Sequence, residues 1–467
     1  MELDASTLRD LDVLSTSTPD GQTLVELVDR TRTRVGREQL RRRLRTPADS
    51  VDAILALQQA HRLLAAEAQA YRWIVDRADA DGAERYLGSN WRLPPVRQRR
   101  ARFVATLWRG GWRGAYLSDV REGQTRVVAL LKAAADLQCR LSTTEAAVLH
   151  EVARQLAAVL DTPEVRELIR LASRRSGSAR LAFDQLARQR AKPLLTGVLE
   201  SVGTVEAMWS LAIATTEHGW SYPTPSSRLT AVRLRHPFLG PPGVPYDIEL
   251  NDQVRVCFVT GANMAGKSTF LRTVALSMLL AHVGCGVPAE SLEFPVARMI
   301  FSSLKVSENL AAGESFYLAE VRRIRALAMA LHQNGSVVAV LDEPLRGTNV
   351  HDAVEATLAI ITRLAVHPEA LVFIASHLAE VVPGVVDDPR IRLLHFAADL
   401  TDDQPRFDYR LREGVSAQRL GMTLLRQERV LDLLDRREAP ANLQPNTALH
   451  PTAAGAILRR PRVKRRR

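Results

Sequence analysis

The sequence has no apolar run near the roughly 18 residues that a membrane-spanning helix needs; its best candidate, 274–283, stops well short and follows a motif that explains it better. Cysteine is scarce. Cys139, Cys257 and Cys285 stand far apart, with neither a CxxC pair nor metal-ligand spacing, which argues against a disulfide framework and for a reducing, cytoplasmic setting. The opening MELDASTLRDLD is acidic and lacks the basic start and apolar stretch of a signal peptide, so export is not expected. There is no internal repeat. Lysine accounts for only five of the 63 basic residues, an arginine bias that reads as codon composition.

What is present is ordinary in bulk. Of 467 residues 46% are apolar and 25% charged, a mix that excludes a disordered or fibrous chain, and the length allows about two to four domains. The net charge of +11 is local: nine basic residues and one acid, Glu438, lie at 436–467, leaving +3 on the other 435 residues. Bulk charge is therefore weak evidence for nucleic-acid binding by the folded part.

Apolar residues recur at three-to-four spacing through stretches such as 51–66 and 145–160, which predicts a mainly helical first half. A proline-rich boundary at 237–245 ends it. Beyond, short β-rich runs (254–260, 337–341, 371–375) alternate with helix-like segments, the pattern of an α/β layer with a parallel sheet. The expected division is a helical domain at 1–235, an α/β domain at 236–436 and a disordered basic tail at 437–467, ending in RRPRVKRRR.

Residues 261–268, GANMAGKS, fit the phosphate-loop pattern GxxxxGK[ST] between an expected strand and helix. Gly261, Ala262, Asn263, Met264, Ala265 and Gly266 would turn backbone N–H groups toward phosphates, aided by the helix N-terminus that starts near Thr269. Lys267 would reach the β- and γ-phosphates, and the Ser268 hydroxyl would ligate Mg²⁺. The run at 337–343, VVAVLDE, ends in two acids where α/β sheets meet their ligands. Asp342 is expected on Mg²⁺; Glu343 would polarise the attacking water, making the site hydrolytic. His377, after a third apolar strand, is a candidate sensor of the γ-phosphate or that water.

A fourth element, SENLAAGESF at 307–316, leads into a helix expected over 317–332 with Tyr317, Leu318, Val321, Ile324, Ala328 and Leu331 on its apolar face. By residue type alone the Gly-x-Ser at 313–315 offers helix-start N–H groups and a hydroxyl to an anion, or, the favoured reading, Ser315 is an ordinary N-cap.

Together these residues resemble the MutS family, the ATPases of DNA mismatch repair and its relatives. TGANMAGKSTFLR is similar to the family's phosphate loop, DEPLRGT (342–348) to its DE-x-GRGT segment, ASH (375–377) to its T/S-H element, and SENLAAGESF to its signature loop. TLVELVDRTRTRVGREQLRRRLRTP (23–47) resembles the opening of the helical lever domain; VEAMWSLAIA (205–214) and RHPFL (235–239) resemble the return into the ATPase, and YRLREGVSAQRLGMTLL (409–425) its closing segment. The resemblance implies a mainly α lever domain followed by an ABC-type α/β P-loop ATPase, with ATP and Mg²⁺ as cofactors. It also implies a homodimer in which Ser315, with Gly313, completes the partner's site in trans. The implied partner is double-stranded or branched DNA, in the cytoplasm at the nucleoid, with protein partners open. Several features depart from the family. The mismatch-reading domain with its Phe-x-Glu wedge and a C-terminal Smr-like nuclease are not expected. Leu345 replaces a glycine, Glu308-Asn309 replaces two aspartates, Phe316 stands for threonine and Tyr246 for asparagine. Tyr246 reads either as an adenine-stacking ring or as a buried aromatic.

Between 91 and 121 eight arginines (92, 97, 99, 100, 102, 109, 113, 121) face one acid, Asp119, with Trp91, Phe103, Trp108, Trp112 and Tyr116 interleaved. Arg97, Arg99, Arg100, Arg102, Arg109 and Arg113 are candidate phosphate contacts of low sequence preference; equally, the aromatics pack between helices and the arginines form a solvated face. Arg41, Arg42, Arg43 and Arg45 read as a solvated face or subunit contact. Without DNA business, the same chain reads as an ATP-gated scaffold clamping a protein.

Overall fold

Among the described residues the elements from Ala5 to Glu217 are all helices, and strands begin at Thr224, ahead of the 237–245 prolines. The computed structural model describes residues 1–416 except 2, 17, 20, 72–74, 90–111, 175, 263, 305–315 and 402–403, and beyond them 425 and 430–434. The tail expected at 437–467 lies outside the described residues. Among those described, no helix is long and apolar enough to cross a membrane.

Helix starts follow side-chain capping. Asp4 caps α1 (Ala5–Asp10), Thr33 caps α2 (Arg34–Arg45) and Ser50 caps α3 (Val51–Ala66), each accepting a first-turn N–H. The bounds of α3 are those its apolar spacing predicts. The long α4 (Trp112–Leu141) and α5 (Lys192–Glu217) supply the spine of a helical core that includes Leu130, Leu195, Met208 and Trp209. Two buried carboxylates fix this half. Glu206 on α5 accepts the Thr33 N–H at 3.1 Å and the Thr33 hydroxyl at 2.5 Å, anchoring the start of α2. Asp184 accepts the Tyr86 and Tyr116 hydroxyls, each at 2.7 Å, with the Arg188 guanidinium 3.2 Å away. Buried polar groups are tolerated when satisfied in this way.

The second half is built on a six-stranded sheet. Its strands are β1 (Val256–Gly261), β2 (Met299–Ser303), β3 (Val337–Asp342), β4 (Ala370–Ala375), β5 (Ile391–Thr401) and β6 (Gln404–Glu413), in the spatial order β6-β5-β1-β4-β3-β2. All neighbours run parallel except the β5–β6 hairpin. β1 and β4 are buried at every residue, as strands covered on both faces must be. α6 (Lys267–His282), α7 (Phe316–Asn334) and α8 (Val350–Leu364) are the main helices of this half. A smaller four-stranded sheet pairs Leu229–Leu234 with Tyr246–Leu250 and Ser291–Pro295.

The core face of α7 agrees only in part with the one its sequence suggests. Of the expected face Leu331 is buried and Ile324 packs against the core, but Leu318 and Val321 are exposed at 42% and 38%, and Leu327 and Ala330 are buried instead. The helix is turned so that Glu320 and Leu327 point inward, and the Arg323 guanidinium covers the Phe301 ring at 3.8 Å. Arg323 is fixed there by an ion pair with Asp4 at 3.1 Å. α1 is thereby strapped across the α/β half: Asp10 accepts the Ser302 hydroxyl at 2.8 Å and the Leu304 N–H at 2.9 Å, and Asp12 pairs with Arg272 of α6 at 3.1 Å.

Candidate functional site

The 261–266 loop joins the buried end of β1 to the start of α6, as its sequence predicts. Its glycines are dictated locally. Gly261 has φ +142°, and a Cβ there would lie 2.7 Å from the Phe396 carbonyl oxygen; Gly266, at φ +108°, forms the N-terminal boundary of α6. Met264 is also left-handed (φ 70°) and 71% exposed at the loop's crest. Ala265 is buried beneath it.

Lys267 is buried, and its ammonium donates to the carbonyls of Gly261 at 2.6 Å and Ala262 at 3.3 Å, with the Glu343 carboxylate 3.8 Å away. Burial lowers its pKa, and Glu343 and Asp342 pull the other way. The Ser268 hydroxyl donates to Asp342 at the end of β3. Burial raises the Asp342 pKa against the opposing effect of that hydrogen bond. His377, at the end of β4, has Nδ1 3.3 Å from the Glu343 carboxylate. Three separate stretches of sequence thus meet at one point.

The turn leaving β3 is unusual. Glu343 (φ 46°) and Leu345 (φ 64°) are both left-handed, at roughly 1–2 kcal/mol per residue for a side chain with a Cβ. The Glu343 N–H donates to the Ala375 carbonyl at 2.8 Å, and Leu345 is buried.

A cleft of about 680 Å³ opens over these groups, within the range of small-ligand sites. Lys267, Ser268, Thr269, Asp342, Glu343 and Arg346 line it together with an apolar wall containing Leu239, Val244, Leu304 and Tyr409. Leu239, Leu304, Arg346 and Tyr409 were not singled out by the sequence. Tyr409 sits at a β-bulge of β6 with φ 56°, its ring against Gly266, which is how a bulge re-aims a side chain. Tyr246 is 4% exposed and edge-on to Phe270 and Phe396, with burial pushing its hydroxyl up to about 12, and it also belongs to the cleft lining, so the structure gives it features of both readings.

Of the other candidates, Asn263, Gly313, Ser315, Arg97, Arg99, Arg100, Arg102 and Arg109 lie outside the described residues, and Arg113 is described only as part of α4. At the described end of the arginine-rich stretch Tyr116 turns inward to Asp184 and Arg121 outward. Arg42 and Arg45 are exposed; Arg43 is partly buried, and burial lowers its pKa to about 10.

Residues 257–432 match the family MutS domain V. Similar relatives include DNA mismatch repair protein MutS 2 of Halobacterium salinarum, 30% identical over 259 residues, which are 53% of this chain and 29% of that protein. DNA mismatch repair protein MutS of Thermus thermophilus is 33% identical over 262 residues, 55% of this chain and 31% of that protein. That of Chloroflexus aurantiacus is 31% identical over 229 residues, 47% and 24% respectively. The chain thus spans about a quarter to a third of the length of these relatives. The loop, the two acids and His377 all fall within the matched MutS domain.

Proposed function

We propose that the chain is an ATP-dependent, DNA-acting protein of the MutS type whose cleft binds and hydrolyses ATP. One observation carries this: Lys267, Ser268, Asp342 and Glu343 converge at the polar end of a cleft whose other wall is apolar and aromatic, with His377 against Glu343. That suits a triphosphate at one end and a base at the other.

Among the described residues no three His, Cys, Asp or Glu side chains converge as a metal site. The adjacent Ser268 and Asp342 oxygens nevertheless fit Mg²⁺, which takes one or two protein oxygens and completes its shell with phosphate and water. When bound, Mg²⁺ would neutralise phosphate charge. Lys267 holds phosphate oxygens, and the loop N–H groups and the start of α6 orient them. Glu343 accepts a proton from, or orients, the attacking water, with His377 holding the Glu343 carboxylate in place.

The finer reading assigns helical levers to 1–235, the ATPase to 236–436 and a basic tail to 437–467. Two copies would form a homodimeric clamp on double-stranded or branched DNA, Ser315 of each acting on the other's nucleotide, without direct mismatch reading. The relatives' names as DNA mismatch repair proteins support a role in repair. Arg97, Arg99, Arg100, Arg102, Arg109 and Arg113 are the proposed phosphate contacts.

The test is ATP turnover measured with no DNA, homoduplex, mismatched and branched DNA, at low and moderate salt. Stimulation by one form supports the clamp and names its substrate class. Turnover indifferent to every DNA moves the reading to a scaffold that clamps a protein partner.

A further inference from the structure

Glu320 is a charged group beside the site with no part in the reading above. It projects from the buried face of α7 and is 5% exposed. Its carboxylate accepts the Gly347 N–H at 3.2 Å, and the Arg346 amide and charge also bear on it. Burial raises its pKa, with those contacts opposing the rise. A carboxylate is a poor choice for packing alone, because desolvating it costs more than burying an apolar side chain of similar size.

What it grips is the strained turn after β3. Glu343 and Leu345 both have positive φ, and such conformations persist only where the surroundings over-determine them. At the near end the Glu343 N–H is fixed to Ala375; in the middle the Leu345 side chain is buried. At the far end Glu320 holds Gly347. Arg346, between the last two anchors, lines the cleft. We propose that Glu320 is a positioning residue of this site: from α7 it clamps the end of the 343–347 turn, and so keeps the Glu343 carboxylate between Lys267 and His377 and Arg346 on the cleft wall.

The proposal rests on the hydrolytic reading of Glu343, and its test separates the two. In the full chain, Glu320→Ala should lower kcat for ATP by about tenfold or more, since small misplacements of a reacting group are costly. KM should stay within about twofold, because the phosphate-holding groups are untouched. Glu320→Gln, whose carbonyl oxygen can still accept the Gly347 N–H, should recover most of kcat. Trypsin cleavage after Arg346 should quicken in Glu320→Ala and remain near the parent rate in Glu320→Gln, a readout that needs no activity. Parental kcat and cleavage rate in a folded Glu320→Ala protein would overturn the proposal, as would equal losses in kcat and in ATP affinity. Should Glu320→Ala not fold, Glu320→Asp keeps the charge but withdraws it by one methylene; unchanged kcat and cleavage rate there overturn it equally. A parent protein that hydrolyses no ATP refutes the hydrolytic reading, and the trypsin comparison then decides the clamp by itself.

Discussion

The Ser268 hydroxyl at the start of α6 donates to the Asp342 carboxylate at the end of β3, joining two stretches 74 positions apart in the chain. The two oxygens are the site's natural pair for a hard cation, and burial raises the pKa of the one that should be anionic. A divalent ion favours the ionised form. Asp342→Asn should therefore raise the Mg²⁺ concentration needed for half-maximal turnover by about tenfold or more. Turnover titrated against Mg²⁺ checks this, and an unshifted curve removes Asp342 from the metal site.

Glu343 and Lys267 should separate on mutation although they lie 3.8 Å apart. Glu343→Gln keeps shape and removes only the base, so ATP should still bind while turnover falls by roughly 10²–10⁴-fold. Lys267→Ala removes the phosphate-holding cation and should weaken both. Equilibrium binding of a fluorescent ATP analogue beside phosphate release distinguishes them. Normal turnover in Glu343→Gln would refute the assigned role.

These residues were legible because each sits in a short contiguous pattern whose local structure follows from its neighbours. GANMAGKS must turn where Gly261 and Gly266 allow, and VVAVLDE and LVFIASH end polar where buried strands reach the sheet's rim. The apolar wall was not legible. Tyr409 reaches the cleft only because β6 bulges and returns beside β5, and Leu304 only because β2, distant in sequence from the loop, joins the same sheet. Both are consequences of topology. The face of α7 was misread in part for a related reason: its apolar residues ring the helix, and the strap from Asp4 through Arg323 fixes which side faces in. Glu320 carried a signal that could have been used, an acid alone within the apolar run YLAEV.

The strap itself makes a stability prediction. Asp10 is 4% exposed and satisfies two donors, the Ser302 hydroxyl and the Leu304 N–H. Asp10→Ala leaves both without that acceptor in a buried setting, which should cost about 1–3 kcal/mol for an orphaned group. Asp10→Asn keeps one acceptor oxygen and should cost less. Denaturant unfolding of the three proteins orders them, and an Asp10→Ala protein as stable as the parent would show that α1 is not held by these bonds.

Acid should loosen the chain before its carboxylates titrate. His61, His236 and His282 are buried, and burial is the main cause holding their pKa values to about 3, 4 and 4; nearby Arg43 adds to the effect at His61 and Arg272 at His236. Each folded value lies below the ordinary histidine value, so the unfolded chain takes up the proton first. The stability these neutral rings contribute is complete above pH about 6.5 and is lost as pH falls toward the folded values, by about 1.4 kcal/mol per pH unit for each ring. His282 is the clearest case: its two ring nitrogens lie 2.7 Å from the Met278 carbonyl and 3.0 Å from the Ala297 N–H, so the second nitrogen must accept and cannot carry a proton. Unfolding midpoints measured from pH 7.5 to 5 should fall steeply below 6.5, and His282→Gln should flatten that fall by about one proton's worth even if it lowers stability at pH 7.5.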